Sequence, residues 1–89
     1  MNEPMYIEYL ENDRKTITAG MFIKIDDTNS DIISIGDKFI SPKGCTDDKL
    51  HVPRILTVKN IKGSRGWEYI YDSIFNRGYS YHICYKLIE

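Results

Sequence analysis

The stretch Tyr79-Ser80-Tyr81-His82-Ile83-Cys84-Tyr85-Lys86-Leu87 has the clearest structural pattern in the chain. In a β-strand successive side chains point to opposite faces, so a period of two in hydrophobicity predicts a half-buried strand. One face is expected to be buried and contains Tyr79, Tyr81, Ile83, Tyr85 and Leu87. The opposite face contains Ser80, His82, Cys84 and Lys86.

Similar patterns earlier in the chain predict further short strands. They are expected at residues 21–25, 32–40, 54–61 and 67–71. Gly36-Asp37 predicts a bend or bulge within the second of these. The two glycines of residues 62–66 predict a hairpin turn between the last two strands. Residues 45–53 are polar and bounded by prolines, which predicts an exposed loop long enough to be functional rather than a simple connection.

Two segments leave room for short helices. Residues 72–78 favour one helical or 3₁₀ turn, capped by Asp72 or Ser73 and ended by Gly78. Residues 5–10 suit a strand by their β-forming side chains, although Pro4 at a first-turn position also suits a short helix. We favour the strand, with residues 11–14 turning it back into residues 15–18 as an antiparallel hairpin.

These elements predict one mainly β domain over residues 1–89. Five or six short strands, with at most one or two helical turns, must curl to cover their own core. We therefore expect a small, antiparallel, partly open β-barrel. Residues 1–20 would extend it as a hairpin or a short helix.

The segment Ser34-Ile35-Gly36-Asp37-Lys38-Phe39-Ile40 resembles the Gly-Asp-x-hydrophobic entry into a strand of SH3-like and KOW-type barrels. A strand at 55–59, a turn, a strand at 67–71, a helical turn and a last strand at 81–87 follow in the matching order. The resemblance covers residues 31–88 and implies an SH3-like barrel. Because such barrels serve many binding functions, it implies no single activity.

Composition and charge limit the function further. Hydrophobic residues make up 42% of the 89 and charged residues 28%, which is typical of a globular protein. The net charge of −1 hides an acidic segment at residues 26–48 and a basic one at residues 54–86. The chain has no long apolar run and no signal-peptide pattern, which predicts a cytoplasmic protein with no membrane partner. Its wealth of Ile, Lys, Asp and Tyr resembles small accessory proteins of AT-rich phages.

No residue pattern favours catalysis, a cofactor or a metal. The aspartates lie in turn segments, and neither a nucleophile elbow nor a P-loop is present. Cys45, His51, His82 and Cys84 are candidate zinc ligands, but the chain lacks a Cys-x₂-Cys pair. We expect two free, buried thiols, no metal and no enzymatic activity.

Basic and aromatic residues alternate in the second half of the chain. The candidate binding residues are Lys62, Arg65, Trp67, Tyr69, Arg77 and Tyr79. Their rings could fill the core, anchor a protein interface or stack on nucleic-acid bases. The leading hypothesis is a non-enzymatic, phage-type accessory protein that binds and modulates or inhibits a host protein. The alternative is a small barrel that binds nucleic acid through the same residues.

Overall fold

A computed structural model of the protein describes residues 3–63 and 68–88. These residues form seven strands in one antiparallel sheet, with the order β1-β2-β7-β3-β4-β5-β6. The strands are β1 (Met5–Leu10), β2 (Ile17–Lys24), β3 (Lys38–Ile40), β4 (Leu56–Lys62), β5 (Tyr69–Asp72), β6 (Gly78–Ser80) and β7 (Tyr85–Leu87). Two 3₁₀ turns, Ser30–Ile32 and Tyr81–Ile83, complete the regular structure of this part of the chain. The mainly β, antiparallel class is confirmed, although the sheet has seven strands rather than five or six and is an open sheet rather than a partly open barrel.

The N-terminal hairpin is confirmed, and the helical alternative for its first strand is wrong. β1 pairs with β2 along its whole length, from Met5 opposite Phe22 to Leu10 opposite Ile17. The sheet curls enough to bring the end of β1 to the residues before β4. There the Leu10 N–H donates to the Pro53 carbonyl at 2.8 Å, and the Ile55 N–H donates to the Leu10 carbonyl at 3.0 Å.

Both faces of the sheet carry apolar clusters, because adjacent residues of a strand point to opposite sides. Phe39 belongs to a larger cluster with Leu56, Ile70 and Tyr81. Its neighbour Ile40 belongs to a smaller one, whose other buried members are Tyr9, Phe22 and Ile55. The centre of the sheet is therefore covered on both sides, and this anchors the loops at its ends.

The prediction of one continuous strand over residues 79–87 is wrong. The chain leaves β6, makes the second 3₁₀ turn and enters β7, which pairs with β2 and β3. The Cys84 N–H donates to the Tyr81 carbonyl at 3.1 Å. Because a 3₁₀ turn has three residues per turn, Tyr81 and Cys84 share the core side, while Ile83 is only half-buried.

Two further predictions need correction. Of the strand expected at 32–40, only Lys38–Ile40 is β, because a tight turn precedes it. In that turn the Asp37 N–H donates to the Ser34 carbonyl at 3.1 Å, and Gly36 has φ of +96°. Residues 73–77 form an irregular hairpin loop between β5 and β6 instead of a helical turn. The β4–β5 hairpin is confirmed by its pairing, although most of its turn lies outside the described residues.

Candidate binding site

The four described residues among the six predicted to bind a partner do not form one site. Lys62 and Tyr69 lie opposite each other in the β4–β5 ladder, and both are exposed. Arg77 is exposed at the other end of β5, next to Gly78, which pairs with Tyr71. Arg65 and Trp67 lie outside the described residues.

Tyr79 is a core residue, as its place on the predicted buried strand face indicated, and it is not an exposed binding residue. Its side chain is only 4% exposed, and its ring packs edge-on against Phe39 with centroids 6.1 Å apart. The chain also passes close to this ring at Gly44. A Cβ there would lie 2.6 Å from Tyr79 Cδ1 and 2.8 Å from Ser41 Oγ, so only glycine fits.

A surface groove borders Gly44 and Cys45, and we assign it as the candidate site. It consists of two depressions, about 250 and 420 Å³ in volume, and both are lined by Arg54 and Phe75. We call it the Arg54–Phe75 groove. Its basic and apolar lining comprises Arg14, Lys43, Arg54, Ile74, Phe75 and Arg77.

Arg54 is held at the centre of this groove by two neighbours. Its Nη2 lies 3.1 Å from Asp47 Oδ2, and its Cζ lies 5.8 Å from the centroid of the Phe75 ring. Asp47 is itself fixed, because its Oδ1 accepts the N–H groups of Lys49 at 2.9 Å and Leu50 at 2.8 Å. These amide donors, the Leu50 N–H foremost, together with the charge of Arg54, lower the pKa of Asp47. Its carboxylate is therefore a stable anionic partner for the guanidinium.

Asp72 holds in place the loop that carries Ile74 and Phe75. This carboxylate is fully buried and accepts hydrogen bonds from the N–H groups of Ile74 at 2.8 Å, of Phe75, and of Arg77 at 3.3 Å. Asp72 was one of the two residues expected to cap this segment. It does accept backbone N–H groups as a cap would, although the loop is not helical. Phe75 is thus presented with 37% of its side chain exposed by a loop that is tied at three amides.

Cys45 also lines the groove. Burial raises the pKa of its thiol, so the reactive thiolate is disfavoured. The neighbouring Tyr79 hydroxyl is buried and has no hydrogen-bond partner among the described residues. Burial, with further contributions from Cys45 and Asp72, raises the pKa of that phenol. The arrangement supplies no activated nucleophile.

The candidate zinc ligands are not gathered into a site. Within residues 3–63 and 68–88, no three His, Cys, Asp or Glu side chains are placed to hold one metal ion. His82 instead lies with its Nε2 3.4 Å from Asp27 Oδ1, and the same carboxylate accepts the hydroxyl of Tyr81. Cys45 and Cys84 are both free and buried. None of the helical segments in these residues is long and apolar enough to cross a membrane.

Sequence reasoning missed most of this groove because its residues are far apart in the chain. Arg14 lies in the turn between β1 and β2, while Lys43 and Arg54 lie near opposite ends of the long loop between β3 and β4. One local signal was available, since Ile74-Phe75 places two large apolar residues between Asp72 and Gly78 in a segment expected to be a turn. Apolar side chains at a turn that cannot bury them are candidates for a contact surface.

Comparisons with models of protein families, with curated proteins and with solved structures found no match to this chain.

Proposed function

We propose that the protein is a non-enzymatic binding module that recognises a partner protein through the Arg54–Phe75 groove. The observation that carries the proposal is the pairing of an exposed, immobilised ring with a guanidinium at the meeting point of two depressions. Aromatic and Arg side chains are the usual anchors of protein interfaces, and a fixed loop loses little entropy when a partner binds. The groove thus has the composition and the order of a binding hot spot.

The charges of the groove indicate the kind of segment that would fit. Arg14, Lys43 and Arg77 supply three cations in addition to Arg54, whose charge is paired with Asp47, while Glu11 and Asp48 supply two anions. A segment with an apolar residue for Phe75 and Ile74, flanked by Asp or Glu, would complement this pattern. The composition that resembles phage accessory proteins supports a host protein as the partner.

Nucleic acid is the second candidate, because an exposed ring among basic side chains also suits a stacked base and its phosphates. Glu11 and Asp48 argue against it, since a regular phosphate backbone across the groove would pass both carboxylates. The two candidates differ in salt dependence. Phosphate-dominated binding weakens steeply as salt rises, whereas an interface centred on Phe75 weakens less.

The test is selection from a displayed library of random twelve-residue peptides against the immobilised protein. We expect selected peptides to combine an aromatic or large aliphatic residue with flanking Asp or Glu. A selected peptide should lose at least about tenfold in affinity for Phe75→Ala, which is the loss expected for a truncated anchor. Tyr69→Ala is the matched control, because this ring is also exposed, at 45%, but lies outside the groove.

Three results would contradict the proposal. The first is that selection yields no binder, and the second is that Tyr69→Ala weakens binding as much as Phe75→Ala does. The third is that single-stranded oligonucleotides bind more tightly than the peptides at 150 mM salt, with a steep salt dependence. Thermal unfolding of each variant would show that a lost affinity is not a lost fold.

A further inference from the structure

A second surface, distinct from the groove, lies along the free edge of the sheet at β1. Among the described residues, β1 is hydrogen-bonded to a strand on one side only and is six residues long. The opposite edge strand, β6, has only three residues. Short edge strands offer little for another chain to pair with, whereas a long one is a template for an added strand.

The backbone hydrogen bonds around β1 show which of its groups face outwards. The Glu11 N–H donates to the Thr16 carbonyl at 2.8 Å, so Glu11 faces the second strand of the hairpin. Because neighbouring residues in an antiparallel pair alternate in direction, Tyr9 and Ile7 also face β2. Leu10 faces the other way, as its bond to Pro53 shows. By the same alternation the N–H and carbonyl groups of Tyr6 and Glu8 point away from β2.

Residues 53–55 already act as a neighbouring strand beside the end of β1. They form a parallel bridge through Leu10 and Arg54. The preceding chain turns away, because Pro53 pairs with Thr46 and the Val52 carbonyl accepts the Asp47 N–H at 2.9 Å. The place of the next strand is thus filled next to Leu10 and left open by the described chain next to Glu8 and Tyr6.

The charge of the edge selects its occupant. Along the open part of this edge, residues 3–8 contain two glutamates, Glu3 and Glu8, and neither Lys nor Arg. A second copy of this chain would bring two such acidic edges together, and like charges in adjacent strands are destabilising. Tyr6 adds a ring that is 74% exposed on the same face as Glu8. Cross-strand pairs of an aromatic with a β-branched residue, and of opposite charges, are favourable.

We propose that the free edge of β1 binds an extended, basic segment of a partner protein as an added strand. Its backbone would bond to Tyr6 and Glu8, and its Lys or Arg side chains would lie beside Glu8. Main-chain bonds supply affinity in this mode of recognition, and side chains supply specificity.

The test uses two nine-residue peptides. One alternates Lys with Thr and Val residues, and the other has Glu in place of each Lys. The full chain is titrated with each peptide, and the exchange of its backbone amides is followed by NMR. We expect the Lys peptide to bind at least tenfold more tightly and to slow exchange of the Tyr6 and Glu8 amides. Absence of saturable binding, equal affinity for both peptides, or protection elsewhere would overturn the proposal, as would a dimer in light scattering that the Lys peptide does not dissociate.

Two variants separate the backbone contribution from charge. Glu8→Gln removes the carboxylate and keeps the outward N–H, while Glu8→Pro removes both. Proline is tolerated at this kind of edge position, because the lost N–H does not belong to the β1–β2 ladder. We expect Glu8→Gln to weaken binding severalfold and Glu8→Pro to weaken it further, with the remaining β1–β2 amides still protected. Equal affinities of the two variants would overturn the strand-addition geometry. The Phe75→Ala variant should bind the Lys peptide as the wild type does, which distinguishes this proposal from binding in the groove.

Discussion

The Arg54 guanidinium carbon lies 5.8 Å from the centroid of the Phe75 ring, while Nη2 of the same group lies 3.1 Å from Asp47. One side chain thus connects the loop before β4 to the loop between β5 and β6. A planar cation suits both contacts, since it stacks on a ring and presents N–H donors at its edge. A lysine at this position would keep the charge but lose the geometry.

The ion pair between Asp47 and Arg54 should contribute modestly to stability. Asp47→Asn keeps an oxygen for the Lys49 and Leu50 amides and removes the charge, and we expect a loss of about 0.5 to 1 kcal/mol in urea denaturation, because both side chains are partly exposed. Asp47→Ala also leaves the two amides without their acceptor and should cost about 1 kcal/mol more. Equal losses in the two variants would show that the amide bonds contribute nothing.

The buried Asp72 carboxylate should be essential for the loop that presents Phe75. Asp72→Ala removes the acceptor of three amides, and we expect a loss of about 3 kcal/mol in the free energy of unfolding. Asp72→Asn keeps one oxygen acceptor and should lose less. The alanine variant should also bind groove-directed peptides more weakly, and amide exchange at Ile74 and Phe75 should become faster. Unchanged exchange at these two amides would contradict this role.

The elements that could be predicted from the sequence are those whose residues interact locally along the chain. The hairpin of β1 and β2 was predictable because its turn and both strands are adjacent in the chain, and the side chain of Asp13 stabilises the turn by accepting the N–H groups of Lys15 and Thr16. The strand over residues 79–87 was mispredicted because the period of two in hydrophobicity continues across a 3₁₀ turn. Only the long-range pairing of β7 with β2 and β3 reveals that the strand is interrupted.

Tyr79 was predicted both on a buried strand face and among the binding residues, and only its burial is confirmed. Basic neighbours such as Arg77 made its ring look like part of an exposed patch, but the ring packs against Phe39 from another strand. The groove was not predictable because it depends on the curl that brings Arg54 close to the end of β1. The resemblance to SH3-like barrels stays a prediction, and the open seven-stranded sheet establishes only the class.

Removal of the Tyr79 hydroxyl should stabilise the protein. This oxygen is buried without a hydrogen-bond partner among residues 3–63 and 68–88, so it lost its hydration on folding with no bond in return. Tyr79→Phe keeps the ring and its contact with Phe39, and we expect a gain of about 1 kcal/mol, measured as a higher urea midpoint. A loss of stability instead would mean that the hydroxyl bonds to Cys45 or Asp72 in solution.

The two thiols should differ in reactivity in the folded protein. Cys84 is completely buried, and burial raises the pKa of its thiol to about 12, whereas Cys45 is 8% exposed and lines the groove. Because the thiolate is the nucleophile, an alkylating reagent should modify Cys45 first and Cys84 only when the sheet opens. Mass spectrometry of timed samples would show the order, and a peptide bound in the groove should slow the reaction of Cys45. Equal rates would show that both thiols react only after global unfolding.

The contact between Tyr81 and Asp27 should make stability depend on pH at both ends of the scale. The hydrogen bond to the Asp27 carboxylate, followed by burial, raises the pKa of Tyr81 from 10.0 to about 12. The same bond is the main cause that lowers the pKa of Asp27 from 3.8. A raised phenol pKa means that folding favours the protonated tyrosine, so this contribution is complete below pH 10 and is lost as the pH rises through 12. A lowered carboxyl pKa means that folding favours the carboxylate, so that contribution is present above pH 3.8 and is lost as the pH falls further.

The measurement is the difference in urea midpoint between the wild type and Tyr81→Phe across the pH range, because this subtraction cancels the titration of other groups. We expect a constant advantage for the wild type between about pH 5 and 9 that shrinks towards both extremes. Asp27→Asn should reduce the alkaline dependence and bring the pKa of Tyr81, followed by its absorbance at 295 nm, back towards 10.0, although burial continues to raise it. A His82→Gln variant is the matched control, since His82 also contacts Asp27 but does not donate the Tyr81 hydrogen bond. If the difference between wild type and Tyr81→Phe does not change from pH 9 to 12, the bond to Asp27 contributes nothing to folding.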